Sequence, residues 1–418
     1  MGENISGKGN SWTWKGIAGS AARRFLETAS ALRPRYWEAT RLAHARRTNP
    51  NHADLSGLTA TIQWLKRAQD ATHSGGVSRG YCARPKVGSG LSFGWQPAYP
   101  ETSGYIVETL LRYGQLCGDD DAIARARRIV DWEVSIQLSD GGTQGGVIGA
   151  KPLASSTFVT GQVLFGFVRG FQHFRKDDYA KAARRGAAFL LSCLGEDGGF
   201  ARGYSHFCAP GPKAYEVRTG WAMTLCGTVL EDAKAVAGGR CTAEFALSCQ
   251  TENGWFGHND LDHHDQPLTH TIGYTLEGLF EIGALLGEKI YMEAVRRTLL
   301  SIRNLLRPDG FLAGRWTADW RPAADWCCLT GSCQIACVCF RIHPYYPEEG
   351  FRELGAKLLN FVASTQKLQW PNPGLAGGIH GSYPFGGAYG AYTNLNWAAK
   401  FYADAVMDQK NLESKLKP

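Results

Sequence analysis

The chain of 418 residues has no stretch approaching the ~18 uninterrupted apolar residues of a membrane span, and its N-terminus has no apolar signal core. A cytoplasmic protein is expected. Cys-x-x-Cys spacing is also absent among its 12 cysteines, and they show no even, framework-like rhythm. Several fall inside apolar runs, as Cys226 and Cys337 do, so they read as buried free thiols in a reducing compartment. The group Cys327, Cys328, Cys333, Cys337 and Cys339 reads as core packing. Excess charge is missing from the body. Of the net +7, the first 50 residues supply nine Lys/Arg against three acids, leaving the remainder close to neutral. No nucleic-acid partner, metal or cofactor is expected.

Glycine, in contrast, is abundant and ordered. An apolar run, a glycine-rich break and a second apolar run recur six times. The breaks are Ser74-Gly75-Gly76, Asp140-Gly141-Gly142, Asp197-Gly198-Gly199, Asn253-Gly254-Trp255, Asp309-Gly310-Phe311 and Gly377-Gly378, spaced roughly 56 to 67 residues apart. The runs before the breaks (58–71, 121–138, 178–194, 240–250, 288–306, 349–368) are amphipathic helices with one charged face. Those after them (103–116, 157–174, 216–231, 270–286, 325–342, 393–408) are apolar on most sides. One-faced helices belong to an outer layer and all-round apolar ones to an inner layer. The fold class is therefore all-α, an (α/α)6 toroid over residues 51–418. Residues 1–50 form a basic N-terminal arm, in which Trp14, Ile17, Ala21, Phe25, Ala29 and Leu32 recur at helical spacing until Pro34. That helix either packs on the body or makes a weak contact with an anionic membrane surface.

The topology predicts where chemistry sits. Every break leads from an outer helix into an inner one, so all six open at one end of the ring, beside six helix N-termini. Polar residues at this mouth are the candidates. Glu101, His270, Asp319, Asp325 and Tyr274 are the expected catalytic groups. Tyr99, Tyr215, Arg218, Trp255, Trp316, Trp326, Tyr392 and Asn396 are expected to bind substrate, and the aromatic faces at the mouth suit a bulky ligand, either sugar rings or an isoprenoid. Ser155, Ser156 and Asn394 are expected as helix caps. The run from His258 to Asp265 has metal-ligand residue types but no helical i, i+4 pair, and reads as a solvated loop.

Several phrases carry a resemblance. Tyr99-Pro100-Glu101-Thr102-Ser103-Gly104-Tyr105, Asn253-Gly254-Trp255-Phe256, Pro267-Leu268-Thr269-His270-Thr271-Ile272, Trp326-Cys327-Cys328-Leu329-Thr330-Gly331-Ser332 and Asn396-Trp397-Ala398-Ala399-Lys400-Phe401 occur in order. Together they resemble the VpsJ-type α/α-toroid proteins of bacterial polysaccharide gene clusters. The resemblance implies a six-hairpin, glycosidase-like toroid that makes or trims exopolysaccharide, with a glycan as substrate. Hydrolysis would pair Glu101 with Asp319 or Asp325. A lyase or epimerase acting on uronates would use His270 as base, Tyr274 as proton donor and Arg218 on the sugar carboxylate. A glycan-binding assembly protein without catalysis is a third reading. More distantly the chain is similar to terpenoid cyclases and prenyltransferase β subunits, but Asp119-Asp120-Asp121 falls at the short-turn end, away from the mouth. Lanthionine cyclases share the toroid, yet next to His380 the second cysteine ligand of their zinc site is missing.

Overall fold

A computed structural model describes residues 34–45, 47, 53–85, 90–204, 208–263 and 265–416. The expected arm helix over residues 14–32 lies outside them. Among the described residues the chain forms thirteen α-helices and five very short strands. After α1 (Pro34–His44), the outer helices are α2 (Leu55–Asp70), α4 (Asp120–Ile136), α6 (Asp177–Cys193), α8 (Ala233–Ser248), α10 (Lys289–Leu305) and α12 (Phe351–Thr365). The inner helices are α3 (Pro100–Cys117), α5 (Thr157–Phe174), α7 (Val217–Leu230), α9 (Thr269–Leu286), α11 (Leu329–Ile342) and α13 (Asn396–Leu416). Each inner helix touches the next, and α13 returns to α3. The result is the expected (α/α)6 toroid.

The closest hairpins run from an inner helix to the following outer one. At Gly118, Arg175, Glu231 and Gly287 a single left-handed residue ends the inner helix. One extended residue then starts the outer helix, and Asp119 and Asp232 at that position cap it with their side chains. The sixth hairpin joins the chain's two ends, because α13 packs on α2.

The six breaks close the ring at the mouth end by one repeated contact. Gly75, Gly141, Gly198, Gly254, Gly310 and Gly377 all have positive φ. A Cβ on each would meet the backbone oxygen of Arg128, Arg185, Cys241, Arg297, Lys357 and Ala60 respectively, at 2.4 to 3.1 Å. Each break thus lies against the next outer helix, and the last lies against the first. Only glycine combines that conformation with that approach. A glutamine supports four of these joints. Gln69, Gln137, Gln250 and Gln366 donate Nε2 to a carbonyl of the next outer helix, those of Arg125, Ala182, Ala294 and Gly57.

Several expected boundaries move, and α13 runs eight residues past its expected end, to Leu416. Helix α8 begins at residue 233, seven residues before the predicted start, and runs through Gly238-Gly239. Those glycines let α7 and α8 interlock: a Cβ on Gly239 would meet Thr224 Oγ1 at 2.0 Å, and one on Gly220 would meet Thr242 Oγ1 at 1.7 Å. Residues 327–328 are extended and pair with Ser382–Tyr383, so α11 starts only at Leu329.

Inside the ring, the end away from the mouth is closed by charge. Arg112 bonds Asp408 at 2.5 Å, Arg341 bonds Asp408 and Glu281 at 2.8 and 2.6 Å, and Lys400 bonds Asp404 at 2.6 Å. Opposite charges from α3, α9, α11 and α13 therefore pair across the axis and give the mouth a floor. Part of the basic arm joins the mouth loops. Ala39 and Leu42 of α1 pack with Ala83, Leu375 and Phe385, while Glu38 accepts hydrogen bonds from Trp370 and Asn372. Arg47 reaches Asp309 at 3.2 Å and stacks over Phe361. All twelve cysteines are free thiols, the 327–339 group buried in the core. No described helix is long and apolar enough to cross a membrane.

Candidate active site

Glu101 occupies the first turn of α3, directly after Pro100, whose fixed φ suits a helix start. The residue is half-buried, and its carboxyl accepts a 2.5 Å hydrogen bond from the Tyr99 hydroxyl. Burial raises its pKa from the usual carboxylate range to about 7, against the lowering effects of the Tyr99 bond, Arg79 and Arg218. Around it stand phenols from four parts of the chain. Tyr99, Tyr105, Tyr215, Tyr274 and Tyr389 are all held protonated by burial first, and the Glu101 charge adds to the effect at each. The carboxyl is therefore bonded to one phenol, that of Tyr99, and lies within electrostatic reach of the other four. The Tyr105 and Tyr274 hydroxyls are buried without a hydrogen-bond partner among the described residues.

A second carboxyl borders the same phenols. Glu216 ends a short 3-10 turn (Ala214–Glu216) that leads into α7. Its Oε1 accepts a hydrogen bond from Thr157 at 3.3 Å, while its buried Oε2 has no partner among the described residues. Burial raises it to about 8, opposed by the Thr157 bond and by Lys213. The Tyr215 phenol, shifted upward by burial, also responds to both Glu216 and Glu101, so the two acids share that neighbour.

Below the mouth a polar chain crosses four inner helices. Arg218 (α7) donates Nε to Gln162 (α5) at 2.8 Å and pairs with Glu277 (α9). Gln334 (α11) donates Nε2 to Glu277 Oε2 at 3.1 Å, which turns its own Oε1 toward His270 Nδ1, 2.6 Å away. An amide oxygen only accepts, so Nδ1 carries the imidazole proton and Nε2 keeps its lone pair. Burial lowers His270 to about 3, with the Gln334 bond raising it and Arg218 lowering it. The ring stays neutral, tilted against Tyr274 and Tyr389 with centroids 4.3 and 5.5 Å away.

Of the expected site residues, the structure gathers Tyr99, Glu101, Tyr215, His270 and Tyr274. Arg218 lies beneath them, but only 1% of it is exposed and five aromatic rings enclose it at 5.0 to 5.5 Å. It is a strut of the axis and is not open to a substrate carboxylate. Asp319 and Asp325 are exposed and are not drawn to Glu101; Asp319 bonds Thr317 and pairs with Arg321 at 2.7 Å. Trp255 and Trp316 are buried against Trp320, and Trp326 is buried over Gly314, so these indoles wall the fourth and fifth breaks. Tyr392 faces Phe385 and the Arg84 guanidinium. Asn396 is fully buried and donates to Ser78 O and Thr102 Oγ1, joining α13 to the first break.

The expected caps are ties of another kind. Ser155 holds Asp140 at 2.8 Å, Ser156 makes no side-chain cap bond, and Asn394 contacts His380. Nor is the 258–265 run wholly solvated, because Asn259 and Asp260 are buried, bonded to Thr275 and Lys213. Among the described residues no three His, Cys, Asp or Glu side chains gather as a metal site. Sequence reading passed over Glu277, Gln334 and Gln162. Their signal was available: each is a charged or amide side chain on a helix that is apolar all round.

No protein-family profile matches the sequence, and no curated protein matches it. Solved structures do match by shape. An unsaturated glucuronyl hydrolase specific for heparin is 14% identical with a TM-score of 0.67, covering 86% of this chain and 97% of its own. The unsaturated glucuronyl hydrolase of Bacillus sp. GL1, which acts in glycosaminoglycan degradation, is 13% identical with a TM-score of 0.64, covering 84% and 96%. A polysaccharide lyase is 11% identical with a TM-score of 0.60, covering 87% and 100%. The shared feature is the α/α toroid fold, along nearly the whole length of each relative.

Proposed function

We propose that this protein is a glycan-processing enzyme that cleaves a glycosidic bond in the mouth of the toroid, with Glu101 as general acid. The observation that carries the reading is Glu101 itself: a part-buried carboxyl at an inner-helix start, bonded to the Tyr99 phenol and raised by burial to about 7. A group that is still protonated near neutrality can pass its proton to a leaving sugar oxygen. Glu216 is the second carboxyl best placed to work with it. Burial holds its proton to a higher pH than Glu101's, about 8 against about 7, so it is a second proton donor near neutrality, and the pair offers a base only when Glu101 is the one ionised. Asp319 and Asp325 are less suited, since both are exposed on the rim. The VpsJ-type resemblance and the sugar-acting enzymes of the same shape support a glycan as substrate.

One observation favours a second reading. His270 Nε2 keeps its lone pair, fixed by the Gln334 bond to Nδ1, with Tyr274 beside it as donor to the leaving oxygen; because burial lowers the imidazole to about 3, it would serve as base for a sugar C–H proton only if substrate binding raises its basicity. Incubation with acidic and neutral exopolysaccharides separates the readings. New reducing ends without new ultraviolet absorbance indicate hydrolysis, and both together indicate elimination. Binding without turnover, unaltered in Glu101→Gln and His270→Ala, would leave a glycan-binding protein and sink the proposal.

A further inference from the structure

An arginine different from the one the sequence suggested stands open at the mouth. The half-buried or buried guanidinium groups of Arg112, Arg125, Arg218, Arg296, Arg315 and Arg341 each have a carboxylate partner. Arg79 is half-buried too, and among the described residues no carboxylate lies within ion-pairing distance of it. Its backbone is fixed on both sides: the N–H donates to Pro97 O at 3.0 Å and the carbonyl accepts from Asn396 N at 3.3 Å. The guanidinium lies over the Trp397 ring, 5.3 Å from its centroid, and Trp397 is in turn held by its Nε1 donating to the Tyr389 hydroxyl at 2.8 Å. Trp397 also makes an edge contact with Tyr99, the phenol bonded to Glu101. The Arg79 charge therefore sits in the wall of the candidate active site, oriented by stacking and lacking a counter-ion.

Removing a guanidinium from water without a partner is costly, and a planar fork so held is suited to bidentate contact with an oxyanion. Glu101 lies near enough for the Arg79 charge to lower its pKa but makes no ion-pair contact with it, and burial, which raises that carboxyl to about 7, leaves it only partly ionised near neutrality.

We propose that Arg79, stacked on Trp397, receives an anionic substituent, a carboxylate or a sulfate ester, of the glycan bound beside Glu101. The assignment rests on the glycan reading above and narrows it to acidic glycans. It moves the anion contact from the enclosed Arg218 to Arg79, just after the first break.

The test is calorimetric binding of two matched pairs of oligosaccharide mixtures. One pair is uronate-containing exopolysaccharide fragments and the same fragments after carboxyl reduction. The other is sulfated glycosaminoglycan fragments and the same after desulfation. The native protein should bind at least one charged member about 10- to 100-fold more tightly than its neutral twin, as expected for a charge-assisted bidentate contact. The pair that shows the preference identifies carboxylate or sulfate. Arg79→Met should bring the charged member down to the neutral level with unchanged thermal unfolding, and Arg79→Lys should retain part of the preference. No preference in either pair, no binding to any of the four, or a preference that survives in Arg79→Met overturns the assignment. Turnover lost in Glu101→Gln while Arg79→Met keeps the preference would overturn this inference alone. An Arg79-dependent preference with turnover indifferent to Glu101→Gln would overturn the catalytic reading alone.

Discussion

Replacing Glu101 by glutamine should stabilise the protein as it removes catalysis, in a way that depends on pH. Burial raises the carboxyl from 4.5 to about 7, so the folded state holds this proton more tightly than the unfolded state. Between those two values folded molecules bind more protons, and stability falls as pH rises. Below about pH 4.5 the group is neutral in both states and exerts no penalty. Above about 7 it is ionised in both, and the penalty is complete. At ~1.4 kcal/mol per pH unit the plateau is about 3.5 kcal/mol, an upper bound because the half-buried residue keeps some water. Glutamine preserves the shape and still accepts the Tyr99 hydrogen bond, so the variant isolates charge. Urea unfolding of both proteins from pH 4 to pH 9 gives the difference directly, with the titration of Glu216 cancelling. The variant should match the wild type at pH 4 and exceed it increasingly to a plateau near pH 8. A difference that is flat with pH, or one favouring wild type at pH 8, would refute the claim that desolvation governs this carboxyl.

Other consequences can be checked in the same assays. Gly310→Ala places a Cβ 2.5 Å from Lys357 O at φ +85, whereas Gly118→Ala has left-handed φ but open space; the first should cost about 2–4 kcal/mol and the second about 1 in urea unfolding. Arg218→Met leaves Glu277 buried and unpaired and should cost about 3–5 kcal/mol, part of it recovered in Arg218→Met/Glu277→Gln; equal losses in both would mean the ion pair is not the source. His270 should show no imidazole titration by NMR between pH 4 and pH 9, since burial holds it to about 3, and any titration near neutrality would contradict the neutral, Nδ1-protonated ring. Asp319→Asn and Asp325→Asn should keep turnover and stability, because both groups are exposed; loss of turnover would restore them as partners of Glu101.

The sequence by itself determined the architecture. Six glycine breaks alternate two helix types, and burial on one face or on all faces is a local property that composition records. The same order of elements determined that the breaks share one end, and with it the candidacy of Glu101, His270 and Tyr274. The need for glycine at Gly141 or Gly310 is equally local in conformation, although its partner, a carbonyl on the next outer helix, is not.

Only the tertiary structure decided which polar groups are free to react. Arg218 and Arg79 are both arginines near an inner-helix start or a break, and no sequence pattern separates them. One is sealed by Glu277 and Gln162, from helices some 60 residues away on either side, while the other has no carboxylate partner among the described residues. The same holds for carboxyls: Asp325 and Glu101 are both at the mouth in sequence, but Glu101 is bonded to the Tyr99 phenol and Asp325 is exposed. Desolvation and pairing depend on atoms brought together from all six hairpins, so pKa and availability are properties of the closed ring. The chain's local pattern specifies the ring and its open end, and packing across the axis selects the chemistry there.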